Sequence, residues 1–262
     1  MNKKIILTLT LLTTGALTLP GQTVSAVAAP SISATLTPAF VSQYMFRGQR
    51  LGGFSFEPNI EVDYGHLGVG IWSNFPLNAK VHGVSDPEVD PYVYYTIKAN
   101  DTVSIVPGAT LYTFPNADTG NGFYRTTFEP NIAVPFSLPG GVTLTPKAYY
   151  DVVLDGPTYE ITAAYAVALK DIGSELDFTA TYGDYVFKDA AKDASPAVKQ
   201  VGTYWLVGAA MPFQVAKDAK LTIGFAYTKG ENAYFKQVGI PKTGNPLAVG
   251  RGVVTVSYAY TF

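Results

Sequence analysis

Read at a period of two, the chain carries a set of charges on the polar side of alternating segments. Arg47, Glu57, Asp90, Glu129, Asp151, Glu160 and Arg251 each fall near one end of a segment, and Lys147 lies deeper along its own. A charge enclosed by a fold needs water or a partner. Rings of charged side chains around a constriction are how pores select ions. Acids outnumber bases at that level, which predicts a mild cation preference in a water-filled passage. Arg47 and Arg251 also fit a plainer role, as lumen salt-bridge partners of the acids. The same polar faces carry Trp72, Tyr92, Tyr94, Tyr112 and Tyr149. Such rings either line a path for small solutes by stacking or fill the interior as packing.

Catalytic chemistry finds little support. The two histidines are His66, in a predicted short turn, and His82, in a predicted long loop near Ser85 and Asp86. A Ser/His hydrolase needs its base oriented by a third group within hydrogen-bond reach, and nothing marks His82 as that base. Carboxylate chemistry among Glu57, Glu129 and Glu160 stays open. There is no phosphate-binding loop, no dinucleotide fingerprint and no metal-ligand spacing. With no cysteine, disulfides, thiolate catalysis and cysteine-bound zinc are excluded. No catalytic residue, metal or cofactor is expected.

The elements that must position these residues are strands. Phe54, Phe56, Pro58, Ile60, Val62 and Tyr64 alternate with Ser55, Glu57, Asn59, Glu61 and Asp63. That is a strand whose two faces meet different surroundings. The first segment, 33–46, places Leu36, Phe40, Tyr44 and Phe46 outward. About twelve such segments follow one another to the C-terminus, and their connections alternate between short and long. An even strand number with short turns at one end and long loops at the other is the plan of a transmembrane antiparallel up-and-down β-barrel. It puts both termini on the short-turn, periplasmic side. The last segment, Arg251 to Phe262, sets Val254, Val256, Tyr258, Tyr260 and Phe262 on one face and ends on an aromatic. It is read as the closing strand and as the signal recognised by the barrel-assembly machinery. Outward aromatics fall into two belts. Tyr64, Phe136, Tyr260 and Phe262 lie at the short-turn end, and Phe54, Phe56, Phe128, Tyr159, Tyr185 and Tyr227 at the loop end. Anchoring at a lipid interface explains both. Phe56-Glu-Pro-Asn-Ile60 recurs as Phe128-Glu-Pro-Asn-Ile132 and more loosely as Val89-Asp-Pro-Tyr-Val93. Each copy places an acid inward and a proline outward, so a bent start to each strand is expected.

Composition agrees. Hydrophobic residues make up 47% and charged residues 15%, without any run long enough for a membrane-spanning helix beyond the N-terminus. Lys3 and Lys4, the apolar stretch Ile5–Leu19 and Ala26-Val27-Ala28 form a secretory signal peptide, residues 1–28, with the barrel over 29–262. Its removal leaves 16 basic residues against 20 acidic, and no basic patch for nucleic acid. The expected location is the bacterial outer membrane, reached through the Sec pathway.

The stretch Thr37-Pro-Ala-Phe-Val-Ser-Gln-Tyr-Met-Phe-Arg-Gly48 resembles the opening of the TorF-like porin family, in which a first strand ends in an aromatic-x-aromatic-Arg-Gly cluster. Gly68-Val-Gly-Ile-Trp-Ser-Asn74 looks like that family's second hairpin. The resemblance covers about residues 35–75 and implies an outer-membrane barrel, with no substrate and no catalytic residues attached. The leading expectation is a passive channel for ions or small hydrophilic solutes. A non-conducting structural or binding barrel is the alternative, followed by an outer-membrane hydrolase and a secreted soluble barrel.

Overall fold

The computed structural model describes residues 31–80, 87–119, 124–188 and 198–262. The predicted signal peptide, and His82 with Ser85 and Asp86, lie outside them. The described chain is all-β, a closed twelve-stranded antiparallel barrel. Its strands, in order, are β1 (Ile32–Thr37 and Ala39–Val41), β2 (Ser55–Phe56 and Asn59–Tyr64), β3 (Leu67–Pro76), β4 (Glu88–Tyr95 and Ile97–Lys98), β5 (Ser104–Thr113) and β6 (Thr126–Ala133 and Phe136–Ser137). They continue as β7 (Thr143–Asp151), β8 (Gly156–Leu169), β9 (Ser174–Lys188), β10 (Lys199–Ala216), β11 (Ala219–Gln237) and β12 (Gly250–Thr261). Each pairs with its sequence neighbour. Closure comes from Thr35↔Thr261, Leu36↔Tyr260 and Val256↔Phe40. Among the described residues every strand of the wall has a partner on both sides, which is how a barrel removes free edges.

The alternation read from sequence is the alternation observed. Ile60, Val62 and Tyr64 are exposed on the outside, as are Val254, Val256 and Tyr258, while Glu61, Thr255 and Ser257 are buried inside. The fold is thus inverted relative to a water-soluble core: its large apolar side chains face out. Phe40, Phe54, Phe56 and Phe75 form a ring cluster on the outer face at the loop end, with centroids 5.1 to 6.4 Å apart. Tyr260 and Phe262 meet edge-on at 4.8 Å at the other end, where Phe262 is 71% exposed. Turns on that side are short. Tyr64↔Leu67 brackets Gly65-His66, with Gly65 at φ 62°, and a one-turn 3-10 helix (Lys170–Ile172) joins β8 to β9.

Three expectations are corrected. Tyr185 is not on the outer belt: it is fully buried in the lumen, because Thr181, Gly183, Tyr185 and Phe187 form the inner face of β9. The outer face there is Phe178, Tyr182 and Val186. Only the first of the three Glu/Asp-Pro repeats bends. β2 breaks at Glu57-Pro58, opposite a break in β1 at Pro38, whereas β4 and β6 run unbroken through Pro91 and Pro130. Each proline keeps its place in the ladder on one side, Ile71↔Pro91 and Ala109↔Pro130, while on the other side pairing stops beside it, at Tyr92 and at Asn131. The third correction concerns the first long connection. It is not a surface loop; Tyr44–Phe46 and Gln49–Gly52 pair as a small hairpin that folds into the barrel. Tyr44 and Phe46 therefore point at lumen groups, not at the outside.

Candidate functional site

The inserted hairpin turns on Arg47-Gly48, bracketed by the pair Phe46↔Gln49, with both central residues at positive φ (46° and 73°). This is the two-residue turn whose twist suits a tight hairpin. It carries the Arg47 side chain on its tip. The Gly48 Cα side packs on the Gly230 backbone of β11 and the Tyr204 Cβ, so a Cβ at Gly48 has no room. From there Arg47 reaches Glu129 on β6 with a bidentate pair, Nη1 to Oε2 at 2.9 Å and Nη2 to Oε1 at 2.8 Å. Its guanidinium also lies 4.7 Å from the Phe46 ring centroid and 5.0 Å from that of Tyr149. The Tyr112 hydroxyl donates to Glu129 at 2.9 Å. Planar fork, carboxylate and flanking rings make a specific, strongly oriented contact.

The far strand of the hairpin is tied to the opposite wall. Gln49 accepts from Gln200 Nε2 at 2.6 Å and from Asn245 Nδ2 at 2.9 Å, and the Arg50 N–H donates to the Leu247 carbonyl at 2.8 Å. β11 runs far past the barrel, turns, and pairs with Ile240–Gly244. The chain then comes back over the loop-end mouth through Asn245–Val249 to meet the hairpin. Met45 is 1% exposed. The hairpin therefore bridges the lumen from β1 to β6 and β10–β11.

A second charged pair sits beside the first. Lys147 Nζ lies 3.2 Å from Glu160, which also accepts the Tyr204 hydroxyl at 2.8 Å. Glu57, Asp90 and Glu129, the acids of the three repeats, come to one region of β2, β4 and β6, joined by Glu88. Asp151 is buried, but it accepts the Val153 and Leu154 N–H groups at 2.9 and 2.7 Å and so caps the turn between β7 and β8. Arg251 does not join the cluster. It is exposed, and its guanidinium bonds to the Gly250 carbonyl. Arg47, moved across the lumen on its hairpin, is not its neighbour. His66 sits on the short turn against Tyr95, rings 6.0 Å apart.

The lumen aromatics follow a rule that the sequence reading missed. Each of four tyrosines is paired directly with a glycine on the next strand: Gly70↔Tyr92, Gly68↔Tyr94, Gly183↔Tyr204 and Tyr185↔Gly202. A Cβ built on any of these glycines would strike the paired ring. The rings therefore lie flat along the wall rather than standing into the lumen. Lying flat, three of the four span a strand and deliver their hydroxyls to acids one strand further. Tyr92 reaches Glu61 at 2.6 Å, Tyr94 reaches Asp63 at 3.0 Å, and Tyr204 reaches Glu160. Trp72, also inward, packs on Tyr44 at 5.8 Å. The signal was present: Gly68-x-Gly70 faces Tyr92-x-Tyr94, and Gly183-x-Tyr185 faces Gly202-x-Tyr204 in reverse.

No family model matches the chain, and no curated protein matches it in sequence. Solved structures share its architecture. The NanC porin superposes with a TM-score of 0.50 at 11% identity, covering 87% of this chain and 98% of that one. The barrel is porin-like in fold. The KdgM porin in complex with disordered oligogalacturonate gives 0.48 at 13% identity, covering 88% and 99%. The outer-membrane protease OmpT from Escherichia coli gives 0.34 at 10% identity, covering 92% and 100%.

Proposed function

We propose that the protein is an outer-membrane channel for passive diffusion of ions or small hydrophilic solutes, narrowed at its loop end by the inserted hairpin. The observation that carries this reading is the inverted wall: apolar side chains outside, and Glu, Asp, Thr, Gly and Tyr inside. An outer face of this kind is stable against lipid and not against water. The flat tyrosines support an open interior, since the glycines opposite them keep ring volume out of it.

The cation preference rests on how the charges are matched. Arg47 and Lys147 are each spent on an acid, Glu129 and Glu160. Among the described residues no ion pair reaches Glu57, Glu88 or Asp90. Glu88 and Asp90 are buried, so Glu57 is the acid of the three that would face a permeating solute. The TorF-like resemblance over residues 35–75 is consistent with this assignment. Export through the Sec pathway after loss of residues 1–28, insertion by the barrel-assembly machinery acting on 251–262, and anchoring by Tyr64, Phe136, Tyr260 and Phe262 complete it.

The experiment is planar-bilayer recording of the folded protein across a salt gradient. Stepwise conductance with a reversal potential of cationic sign is expected. Folded, heat-modifiable protein that inserts and gives no steps would overturn the channel reading. It would favour a plugged structural barrel, for which the fully buried Tyr44 and Met45 of the hairpin are the supporting observation. Steps of anionic sign, unchanged in Glu57→Gln, would remove the cation preference alone.

A further inference from the structure

Beneath the hairpin, on the inner faces of β2, β3 and β4, oxygen acceptors outnumber donors. Glu88 accepts the Tyr44 hydroxyl at 2.7 Å, and Asp90 accepts the Thr113 backbone N–H at 3.1 Å. Glu88 and Asp90 stand two residues apart on the inner face of β4, and Glu57 lies between the pairs Phe56↔Phe75 and Asn59↔Trp72, at the level of Asn74. A further observation comes from β3. Asn74 stands directly opposite Glu88 on the inward face; it is 2% exposed, and its Oδ1 has no hydrogen-bond partner. A buried amide oxygen without a donor is costly, and its cross-strand partner, Glu88, is a carboxylate with no donor to offer when ionised.

We propose that Glu88, Asp90 and Asn74 Oδ1 bind a hard cation of the calcium class, with Glu57 completing the shell from the lumen side. Carboxylates and an amide carbonyl are the ligand set that calcium takes, in a shell that commonly includes water. The described residues hold no group of three acids drawn tightly enough to bind a metal by themselves. The amide oxygen is what makes two close carboxylates into a site, and Glu57 acts through water. A bound cation would neutralise the pair, satisfy Asn74, and stiffen β3 against β4 under the hairpin, since Tyr44 bonds to Glu88. The site stands whether or not the barrel conducts, and its test uses no conductance.

Trp72 provides the readout. It stands opposite Asp90 in the β3–β4 register, within energy-transfer range of a lanthanide held there. The chain has two tryptophans, and the other, Trp205, is on β10 facing outward against Tyr227, with ring centroids 5.4 Å apart. The folded full-length barrel in detergent micelles is titrated with terbium under tryptophan excitation. Saturable green emission is expected, displaced by calcium and not by potassium. Trp72→Phe should abolish the emission while keeping a calcium-induced rise in melting temperature of about 5 °C at a hundredfold excess over Kd. Glu88→Gln with Asp90→Asn should lose both. Asn74→Leu, which leaves the carboxylates in place, should weaken calcium at least about tenfold, a single-ligand effect of 1.4 kcal/mol. Emission that survives the double substitution, or survives Trp72→Phe, places the lanthanide elsewhere and overturns the site. So does a wild-type protein that shows neither emission nor a calcium-dependent melting shift.

Discussion

Strands β1–β7 and strands β8–β12 build the same wall in different ways. The first set carries Pro38, Pro58, Pro91, Pro107, Pro130 and Pro146 on its outer face, and β1, β2, β4 and β6 are each interrupted. The second set consists of single runs of 12 to 19 residues that hold two prolines, Pro157 and Pro212; β8 pairs with β9 without a break from Thr158↔Tyr185 to Leu169↔Ser174, while β10 and β11 shift register at Val201/Thr203 and Gln214/Ala216. Their interiors differ too. The first half holds the Tyr44–Trp72–Tyr92–Tyr94 cluster, the acids of the three repeats and the hairpin's partners. Lower in the second half β11 and β12 turn the small side chains of Thr222, Ala226, Thr255 and Ser257 inward, and β9 turns Asp177 inward. The difference lies in proline: a ring without a donor is cheapest where the ladder stops, as it does on one side of Pro91 and Pro130. Buried aromatics and acids occur in both halves, with Tyr185, Phe187 and Tyr204 clustered on β9 and β10 and Tyr204 bonded to Glu160.

The largest effect that would test this contrast is on charge burial. Glu129→Gln leaves the Arg47 guanidinium buried and unpaired in the first half, which costs about 3–5 kcal/mol. Asp177→Asn is the matched change in the second half. Its buried Oδ1 has no hydrogen-bond partner, and exchange for a neutral amide should cost less than about 0.5 kcal/mol or stabilise. Urea unfolding in micelles, followed by loss of heat modifiability, measures both; equal costs would erase the distinction between the halves.

The glycine–tyrosine pairs predict the next effect. Gly70→Val would push the Tyr92 ring off the wall and break its bond to Glu61, destabilising by about 1–3 kcal/mol through overpacking. At Gly208, which faces no ring, a Cβ meets the Ala226 Cβ at 3.1 Å, so Gly208→Ala should stay below about 1 kcal/mol. The same unfolding series reads the pair, and a reversed order would mean that the flat rings are not wedged.

The smallest effect lies on the surface turn between β7 and β8. The Tyr150 hydroxyl, and then Lys199, hold the Asp155 carboxyl below the usual carboxylate range. A depressed folded value means that its contribution is present above the unfolded value and is lost as pH falls through the folded one. Asp155 is fully exposed, so Asp155→Asn should lower the melting temperature only slightly at neutral pH and not at all in strong acid. A gap between variant and wild type that widens on acidification would contradict the assignment.

Much of the fold is legible in the sequence because a barrel wall has one rule, alternation, repeated twelve times; the residues of β2 and β12 show it plainly. The inward position of Glu57, Asp90, Glu129, Lys147 and Glu160 followed from the same parity. What was not legible has physical causes. Tyr44-Met45-Phe46 continues the alternation of β1, so nothing in the pattern marks the point where the chain leaves the wall. Only Arg47-Gly48, two residues at positive φ, signals the turn, and arginine is an uncommon residue for it. Parity alone also failed for Tyr185, since Gly-x-Tyr on facing strands makes sense only once the register is known. Arg251 has the inward parity but stands above the rim, where parity no longer determines contact.

In the channel proposed above, the hairpin 44–52 is the constriction of an otherwise open barrel. Its most direct test is single-channel conductance of the wild type beside a variant in which residues 43–53 are replaced by a short turn, both shown to be folded by heat modifiability. The account predicts stepwise conductance in the wild type and severalfold larger steps in the variant. Equal conductance in the two, or a variant that stays silent, would contradict it.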